Sequence, residues 1–469
     1  MPVLCAVGLI CLCCVPLLAQ QAPDQQPGGA PADNSRNAPA PALAGLVGEE
    51  PGADSPTSEL PAVPALLGGP GAELTFAPEL DRHNYLRTGL SAGAEYNDNA
   101  LISPTNELSN TSYTFFPTLS IDQSRSRIRM ALNYAGGVTV NQRTTSRNAG
   151  SHSLGFDTEY RVSPHVNLRV AEVFSITTGF FNSAAGGGPV GSGGSNAYTI
   201  TPLSKQTSSL TTLGASYHFL LNDLAGVSGS FSDSYYRDVP KATQLLDTQT
   251  VTGSAFWFHR LFGRDWLGAS YRFDKMIFTP HGGDTRVHRV LAVNTINLPG
   301  RITITGFAGP EYSQTQAASG GTGVLSAVGL WSVSGGLDVG FQGLRSSLSG
   351  GVSRQISEGG GIFGPVRLTD VHASYRRQLL RTWTFTLGGS YGKNDSLLPA
   401  LSSSTVPSGW LASASVGVEH PIGKDFALRF GYGHDFQRLV NTTSVLAGDA
   451  HRNRVYATLS YQWGRPIGN

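Results

Sequence analysis

The stretch that decides the fold is Arg454-Val-Tyr-Ala-Thr-Leu-Ser-Tyr-Gln-Trp463. Apolar and aromatic residues occupy every second position from Val455 to Trp463, and mostly polar residues fill the positions between them. Successive side chains of a β-strand point to opposite faces, so this alternation predicts a strand with one apolar face and one polar face. Strands that are apolar outside and polar inside are the repeating unit of transmembrane β-barrels.

The same pattern recurs from residue 84 to residue 463. It predicts an all-β fold, a transmembrane antiparallel up-and-down β-barrel of about eighteen strands. Short turns such as Pro299-Gly300 alternate with long polar loops such as residues 182–202, as expected for periplasmic turns and outer loops. Each strand is predicted to contain roughly 10 to 13 residues, the length of a tilted crossing of the hydrocarbon layer.

The chain divides into four predicted segments. Residues 1–19 are apolar, end in Leu17-Leu18-Ala19 and are interpreted as a signal peptide, although no Lys or Arg precedes the apolar run. A membrane anchor is the alternative, but a spanning helix needs about 20 apolar residues. Residues 20–80 are rich in Pro, Ala and Gly and are interpreted as a disordered periplasmic linker. The predicted barrel covers residues 84–463, and residues 464–469 form a C-terminal tail.

Composition excludes several classes of function. The 469 residues carry a net charge of +1, and only 14% of them are charged, which argues against nucleic acid as a partner. All four cysteines lie within residues 1–19. A mature chain without this segment has no cysteine, which excludes a disulfide framework, a cysteine metal site and a cysteine nucleophile. No cofactor and no metal is predicted.

Two motifs near the start of the barrel resemble functional sites but are better explained by structure. Gly89-Leu-Ser-Ala-Gly93 matches the pattern of serine hydrolases, yet it lies inside a predicted strand without the required strand-to-helix elbow. We therefore predict no enzymatic activity. Glu95, Asn97, Asp98 and Asn99 offer oxygen ligands for Ca²⁺, but Asn and Asp at a strand end are more often turn formers.

Charged residues of the predicted strands mostly fall on the face opposite to the apolar one. A charge is strongly disfavoured in lipid, so these residues are predicted to line the lumen. They are Arg127, Arg129, Asp157, Glu159, Arg161, Arg169, Arg272, Asp274 and Arg429. Two roles remain open for them: steering of solutes, and cross-strand pairing that braces the inner wall. The four arginines between residues 127 and 169 predict a preference for anions.

Tryptophan placement supports the barrel. Four of the six tryptophans lie near a short turn or the C-terminus, where an amphipathic ring prefers the membrane interface. These predicted membrane-interface aromatics are Trp257, Trp266, Trp383 and Trp463.

A family resemblance lies in the first hairpin. Gly93-Ala-Glu-Tyr-Asn-Asp-Asn99, Ser103-Pro-Thr105 and Tyr113-Thr-Phe-Phe-Pro-Thr-Leu119 resemble the opening of bacterial outer-membrane barrels associated with exopolysaccharide and exosortase gene clusters. Members of this family mostly carry no defined catalytic site. The resemblance implies a location in the outer membrane and a connection with polysaccharide. The six residues after Trp463 depart from the usual aromatic end of such barrels.

Two hypotheses follow for function. The first is an outer-membrane channel or export-associated barrel for polysaccharide or other polar solutes, since a barrel of about eighteen strands is wide enough for an aqueous lumen. The second is a non-conducting structural or docking barrel of the cell envelope. An inward-folded 182–202 loop would favour a gated channel, and a plug formed by the linker would favour the scaffold. The expected partners are outer-membrane lipid, the barrel-assembly machinery acting on the last strand, and a polysaccharide or an envelope export complex.

Overall fold

The computed structural model of the chain describes residues 84–144, 148–178, 205–237, 245–261, 265–279, 283–317, 326–359, 364–380, 382–397, 408–440 and 447–466. All of them belong to the compact unit Ala40–Asn469. The predicted signal peptide, the predicted linker and the 182–202 loop lie outside the described residues. Within the described part of the chain, no helix is long and apolar enough to cross a membrane.

The described residues form eighteen strands. They are β1 (Tyr85–Asn97), β2 (Asn110–Ser124), β3 (Ile128–Asn141), β4 (Ala149–Ser163), β5 (Val166–Thr178), β6 (Lys205–Leu220), β7 (Asp223–Arg237), β8 (Asp247–Leu261), β9 (Asp265–Thr279), β10 (Gly283–Leu298), β11 (Ile302–Ala317), β12 (Ser326–Gln342), β13 (Ser346–Glu358), β14 (Pro365–Gln378), β15 (Thr384–Ser396), β16 (Ser408–Ile422), β17 (Phe426–Val440) and β18 (Gly448–Pro466).

The sheet closes on itself. Each strand pairs antiparallel with its neighbours in sequence, and β1 also pairs with β18. Thr88 therefore lies opposite Leu119 of β2 on one side and opposite Trp463 of β18 on the other. Closure pairs the edges that an open sheet would expose. The predicted antiparallel barrel of eighteen strands is confirmed.

The two faces of β18 differ as the alternation predicts. On β18 the side chains of Val455, Leu459 and Trp463 are 55%, 44% and 42% exposed and form part of the outer face. Arg452 and Arg454 lie on the opposite face and are buried. On this strand the outer face thus carries apolar residues, and the inner face carries charges.

The observed strands are longer than predicted. They contain 13 to 19 residues, as in β1 and β18. A strand of roughly 10 residues already crosses the hydrocarbon layer, so the additional residues extend beyond it. β18 also continues past Trp463, since Pro466 pairs with Tyr85. The predicted boundary of the C-terminal tail at residue 464 therefore falls within a strand.

Candidate functional site: the inner wall of the barrel

The first group of inner-wall charges lies on β3, β4 and β5. Arg129 is opposite Glu159 in the β3–β4 ladder, and Glu159 is opposite Arg169 in the β4–β5 ladder. The guanidinium of Arg169 donates to the carboxylate of Asp157, with 2.6 Å between Nη2 and Oδ2. Arg161 follows Asp157 and Glu159 on the same face of β4. The structure brings these five predicted residues together, and opposite charges alternate across the strands.

Arg127 departs from the prediction. It lies in the turn formed by residues 125–127, one residue before β3 begins, and its side chain is exposed. Its carbonyl oxygen accepts a hydrogen bond from the backbone N–H of Arg161 at 2.8 Å. The predicted turn at residues 124–126 is displaced by one residue, so Arg127 lies at the turn end of β3 and not within the strand.

A second charged group lies on β9, β10 and β11. Asp274 accepts hydrogen bonds from Arg272 Nε at 2.9 Å and from Thr252 Oγ1 at 2.7 Å. Arg289 bridges two carboxylates, with Nη1 3.1 Å from Asp274 Oδ2 and Nε 2.5 Å from Glu311 Oε2. The side chains of Arg289, Asp274 and Glu311 are at most 3% exposed. Charges this deeply buried are stable only as partners of one another.

Sequence reasoning found Arg272 and Asp274 but missed Arg289 and Glu311. Arg289 shares its face of β10 with Val287 and Leu291, which gives that face the pattern expected for lipid. The position of Arg289 at the centre of this apolar face indicates that the face is turned inward, because a charge in contact with lipid is costly.

A third group lies on β16, β17 and β18. Arg429 pairs with Glu419 at 2.5 Å. Closer to the loops, Asp435 Oδ2 accepts from Arg452 Nη2 at 2.7 Å and from Arg454 Nε at 3.1 Å. Only Arg429 of this group was predicted. Arg454 is the first residue of the quoted stretch and falls on its polar face, and Arg452, two residues earlier, continues the same period.

Part of the inner wall is apolar. Buried hydrophobic residues from β7 to β11 pack into one cluster, formed by Leu224, Phe256, Phe258, Trp266, Leu291, Val293 and Phe307. Trp266 is 4% exposed and alternates with Leu267, which faces outward. The prediction of Trp266 as a membrane-interface aromatic is therefore wrong. Trp266 does lie beside the short turn that precedes β9, as predicted, but its ring packs inside the barrel.

The other predicted interface tryptophans lie on the outside, close to the turns. Trp257 is exposed and stacks on His259 at 6.3 Å between ring centroids. Trp383 stacks on His420 at 4.5 Å, and Trp463 is exposed near the end of β18. Aromatic rings in this position are typical of the girdle at a membrane interface.

The loop-side end of β13 folds into the lumen together with the residues of β14 that pair with it, and these β14 residues also keep their ladder to β15. We call residues 355–358 of β13 together with residues 365–368 of β14 the hairpin tip. The backbone N–H of Ile356 donates to Glu311 Oε2 at 3.2 Å, and its carbonyl oxygen accepts from Arg289. Glu358 accepts from Thr250 Oγ1 of β8 at 3.4 Å. The hairpin tip therefore crosses the inner faces of β12 and β11.

The two motifs at the start of the barrel have structural roles. Ser91 lies in the middle of β1, and its hydroxyl donates to the carbonyl oxygen of Phe116 at 3.4 Å. Asp98 accepts a hydrogen bond from the side chain of Asn453, and Asn99 donates to the carbonyl oxygen of His451 at 2.9 Å. Among the described residues, no group of three or more His, Cys, Asp or Glu is arranged to hold a metal ion.

Comparison with known proteins gives similarities of architecture. No protein-family model matches the chain, and no curated protein matches its sequence significantly. Pseudomonas aeruginosa OpdK, solved with vanillate, is 11% identical, and the match covers 81% of this chain and 99% of that chain at a TM-score of 0.42. Pseudomonas aeruginosa OccK2 is 13% identical, with coverages of 81% and 98% and a TM-score of 0.43.

The ferric citrate transporter FecA in its unliganded form is 12% identical, with coverages of 80% and 78% and a TM-score of 0.44. These values are too low for the solute of any of these proteins to bear on this chain. The membrane location follows instead from the barrel itself. A closed antiparallel barrel with an even number of strands, an apolar outer face and a charged inner face is the architecture of bacterial outer-membrane proteins. The chain is an outer-membrane β-barrel.

Proposed function

We propose that the barrel is a channel for polar solutes, and that neutral polyhydroxylated solutes such as saccharides are the class it suits best. One observation carries this proposal: outside the apolar cluster of β7 to β11, the two faces of the closed sheet differ in polarity. On β7, Ser228, Ser230 and Ser232 lie on the inner face, whereas Val227 and Phe231 are exposed on the outer face. A lumen of this polarity favours solutes that exchange hydrogen bonds with water for hydrogen bonds with hydroxyl groups.

Cross-strand hydroxyl pairs support the choice of neutral solutes. Ser228 and Ser254 are joined at 2.6 Å between their Oγ atoms, and Ser175 and Ser208 at the same distance. The inner-wall charges occur mainly as ion pairs, such as Arg169 with Asp157. Paired charges leave a weak net field, which reduces selection between anions and cations.

Swelling of liposomes that contain the purified barrel would test this proposal. We expect neutral mono- and oligosaccharides to enter and swell the vesicles at rates that fall with solute size. Empty vesicles and vesicles with a closed barrel of another protein are the controls. Entry of saccharides no faster than into empty vesicles would overturn the proposal.

The second candidate function is a non-conducting docking barrel of the cell envelope. It is favoured by the hairpin tip, which bridges from β13 to β8 and β11, and by the apolar cluster on the inner wall. Retention of impermeant saccharides together with co-purification of other envelope proteins would select this function.

The partners belong to the same proposal. The resemblance of the first hairpin suggests a polysaccharide or its export complex, and the exposed outer face of β18 suggests recognition by the barrel-assembly machinery. If a strain that lacks this barrel still exports its polysaccharide, the polysaccharide and its export complex are excluded as partners. If a variant with a scrambled sequence on the outer face of β18 still assembles normally, recognition of that face by the barrel-assembly machinery is excluded.

A further inference from the structure

The pairing of β12 with β13 is incomplete. β12 pairs with β11 along its whole length, from Ser326 to Phe341. Its pairing with β13 covers only residues 335–342, because it ends where Gly335 meets Arg354. Among the described residues, residues 326–334 of β12 therefore have no ladder partner on β13, although the hydroxyl of Ser334 donates to the carbonyl oxygen of Arg354 at 3.2 Å. This leaves a seam in the loop-side half of the barrel wall.

The outer face beside this seam is unusually bare. Trp331 and Val333 are 71% and 69% exposed, more than any other large hydrophobic residue within the described strands. An unpaired strand edge leaves backbone donors and acceptors without partners, which is costly in contact with lipid. Among the residues that the structure describes, no strand covers this edge of β12 or these side chains.

The missing strand segment is the hairpin tip itself. Extending the observed register by one residue at a time places Gln355 opposite Ser334, and Ile356 opposite Val333. In that position Ile356 would have the same orientation as Leu348 and Val352, which lie on the exposed face of β13. Ile356 thus fits the outer face of the wall as well as it fits the lumen, and Glu358 would lie opposite Trp331 at the loop-side end of β12.

In the lumen the hairpin tip is held by a small set of contacts. Ile356 packs with Met276, Phe278 and Val287 on the inner faces of β9 and β10. Its backbone is hydrogen-bonded to Arg289 and Glu311. Arg289 and Glu311 remain paired with each other when the tip leaves. Departure of the tip therefore leaves neither of these two buried charges without a partner.

We propose that the hairpin tip is a gate with two positions. In the observed position it crosses the lumen and leaves the seam open. In the second position residues 355–358 pair with β12, which clears the lumen and completes the wall. Exchange between two sets of comparable contacts is what a bistable element requires. This gate regulates the proposed channel and so rests on that proposal, although the movement itself does not depend on conduction.

Two engineered cysteine pairs test the two positions. The four natural cysteines lie within residues 1–19, so a barrel produced without that segment contains only the introduced thiols. The pair T250C/E358C replaces side chains whose oxygen atoms are 3.4 Å apart and captures the tip in the lumen. The pair V333C/I356C captures it in the wall. The pair L337C/V352C lies on the intact part of the ladder and is the control.

Mild oxidation in outer-membrane vesicles, followed by gel mobility, measures each cross-link without any current. We expect all three pairs to form. In planar bilayers, oxidised T250C/E358C should lose current and regain it with a reducing agent, whereas oxidised V333C/I356C should remain open. The control pair should leave the current unchanged.

The outcomes separate the gate from the channel. If the control and T250C/E358C cross-link but V333C/I356C does not, the tip is a fixed brace and the gate is overturned. If V333C/I356C cross-links and every form of the barrel is electrically silent, the channel proposal fails and the movement of β13 stands. If all three pairs form but neither oxidised T250C/E358C nor oxidised V333C/I356C changes the current, the tip moves without controlling conduction, and the gate is overturned.

Discussion

Glu311 and Ile356 lie on strands that are not neighbours, yet Glu311 Oε2 accepts a hydrogen bond from the backbone N–H of Ile356 at 3.2 Å. β12 separates their strands in the sheet. The contact exists because β13 leaves the wall after Arg354, where its ladder to β12 ends. The side chains of Glu311 and Arg289 therefore both link the ion pairs of the inner wall to the segment that crosses the lumen.

Removal of Glu311 should strongly destabilise the barrel. Glu311→Ala leaves the guanidinium of Arg289 buried with only one of its two carboxylate partners. Breaking a buried pair in this way costs roughly 3–5 kcal/mol. Urea unfolding in lipid vesicles measures the free energy. The matched control is Glu419→Ala, whose partner Arg429 is more exposed, and equal losses for the two variants would contradict the account.

The inward position of Trp266 predicts an unequal effect of two tryptophan substitutions. Trp266→Ala opens a cavity in the inner apolar cluster and should cost roughly 3–5 kcal/mol. Trp257→Ala removes an exposed ring from the outer face and should cost much less. The same unfolding experiment compares them. A larger loss for Trp257→Ala would mean that the inner cluster contributes little to stability.

The last strand tests which face meets lipid. Leu459→Arg places a charge on the outer face and should cost roughly 2–4 kcal/mol near the bilayer midplane. Ser460→Arg, one residue later, points into the lumen and should be tolerated. Heat-modifiable mobility on gels reports the folded fraction of each variant. Similar folded fractions would show that the facing of β18 is wrong.

The arginines of β3 and its turn should differ in their effect on ion preference. Arg129 lies on the inner wall opposite Glu159, so Arg129→Ala should shift the reversal potential toward cation preference. Arg127 is exposed in the turn, so Arg127→Ala should change it little. Reversal potentials under a salt gradient measure both. A larger shift for Arg127→Ala would place the selective region at the turn end of the barrel.

Much of the barrel can be predicted from the sequence because the patterns that specify it involve residues close together in the chain. Alternation with a period of two gives the strands, and the contrast between short turns and long loops gives their connections. Arg169 and Asp157 were placed on one inner face from this pattern alone, and the structure joins them. Strand boundaries are less local, and a turn displaced by one residue puts Arg127 in the turn instead of in β3.

The pattern failed where the lumen is packed instead of wet. On β8 to β10 the inner face carries Phe258, Trp266 and Val293, so polarity no longer separates inside from outside. Periodicity gives two faces but does not say which one is inner when both are apolar. The inward fold of β13 was also beyond local reasoning, because its contacts join residues 45 and 67 positions apart in sequence.

The central claim is that this outer-membrane barrel encloses a path for polar solutes. Single-channel recording of the purified barrel in planar bilayers tests it most directly, with the T250C/E358C variant measured before and after oxidation in the same membrane. The account predicts discrete current steps that disappear on oxidation and return on reduction. A barrel that is folded by gel mobility but shows no steps in either redox state would contradict it.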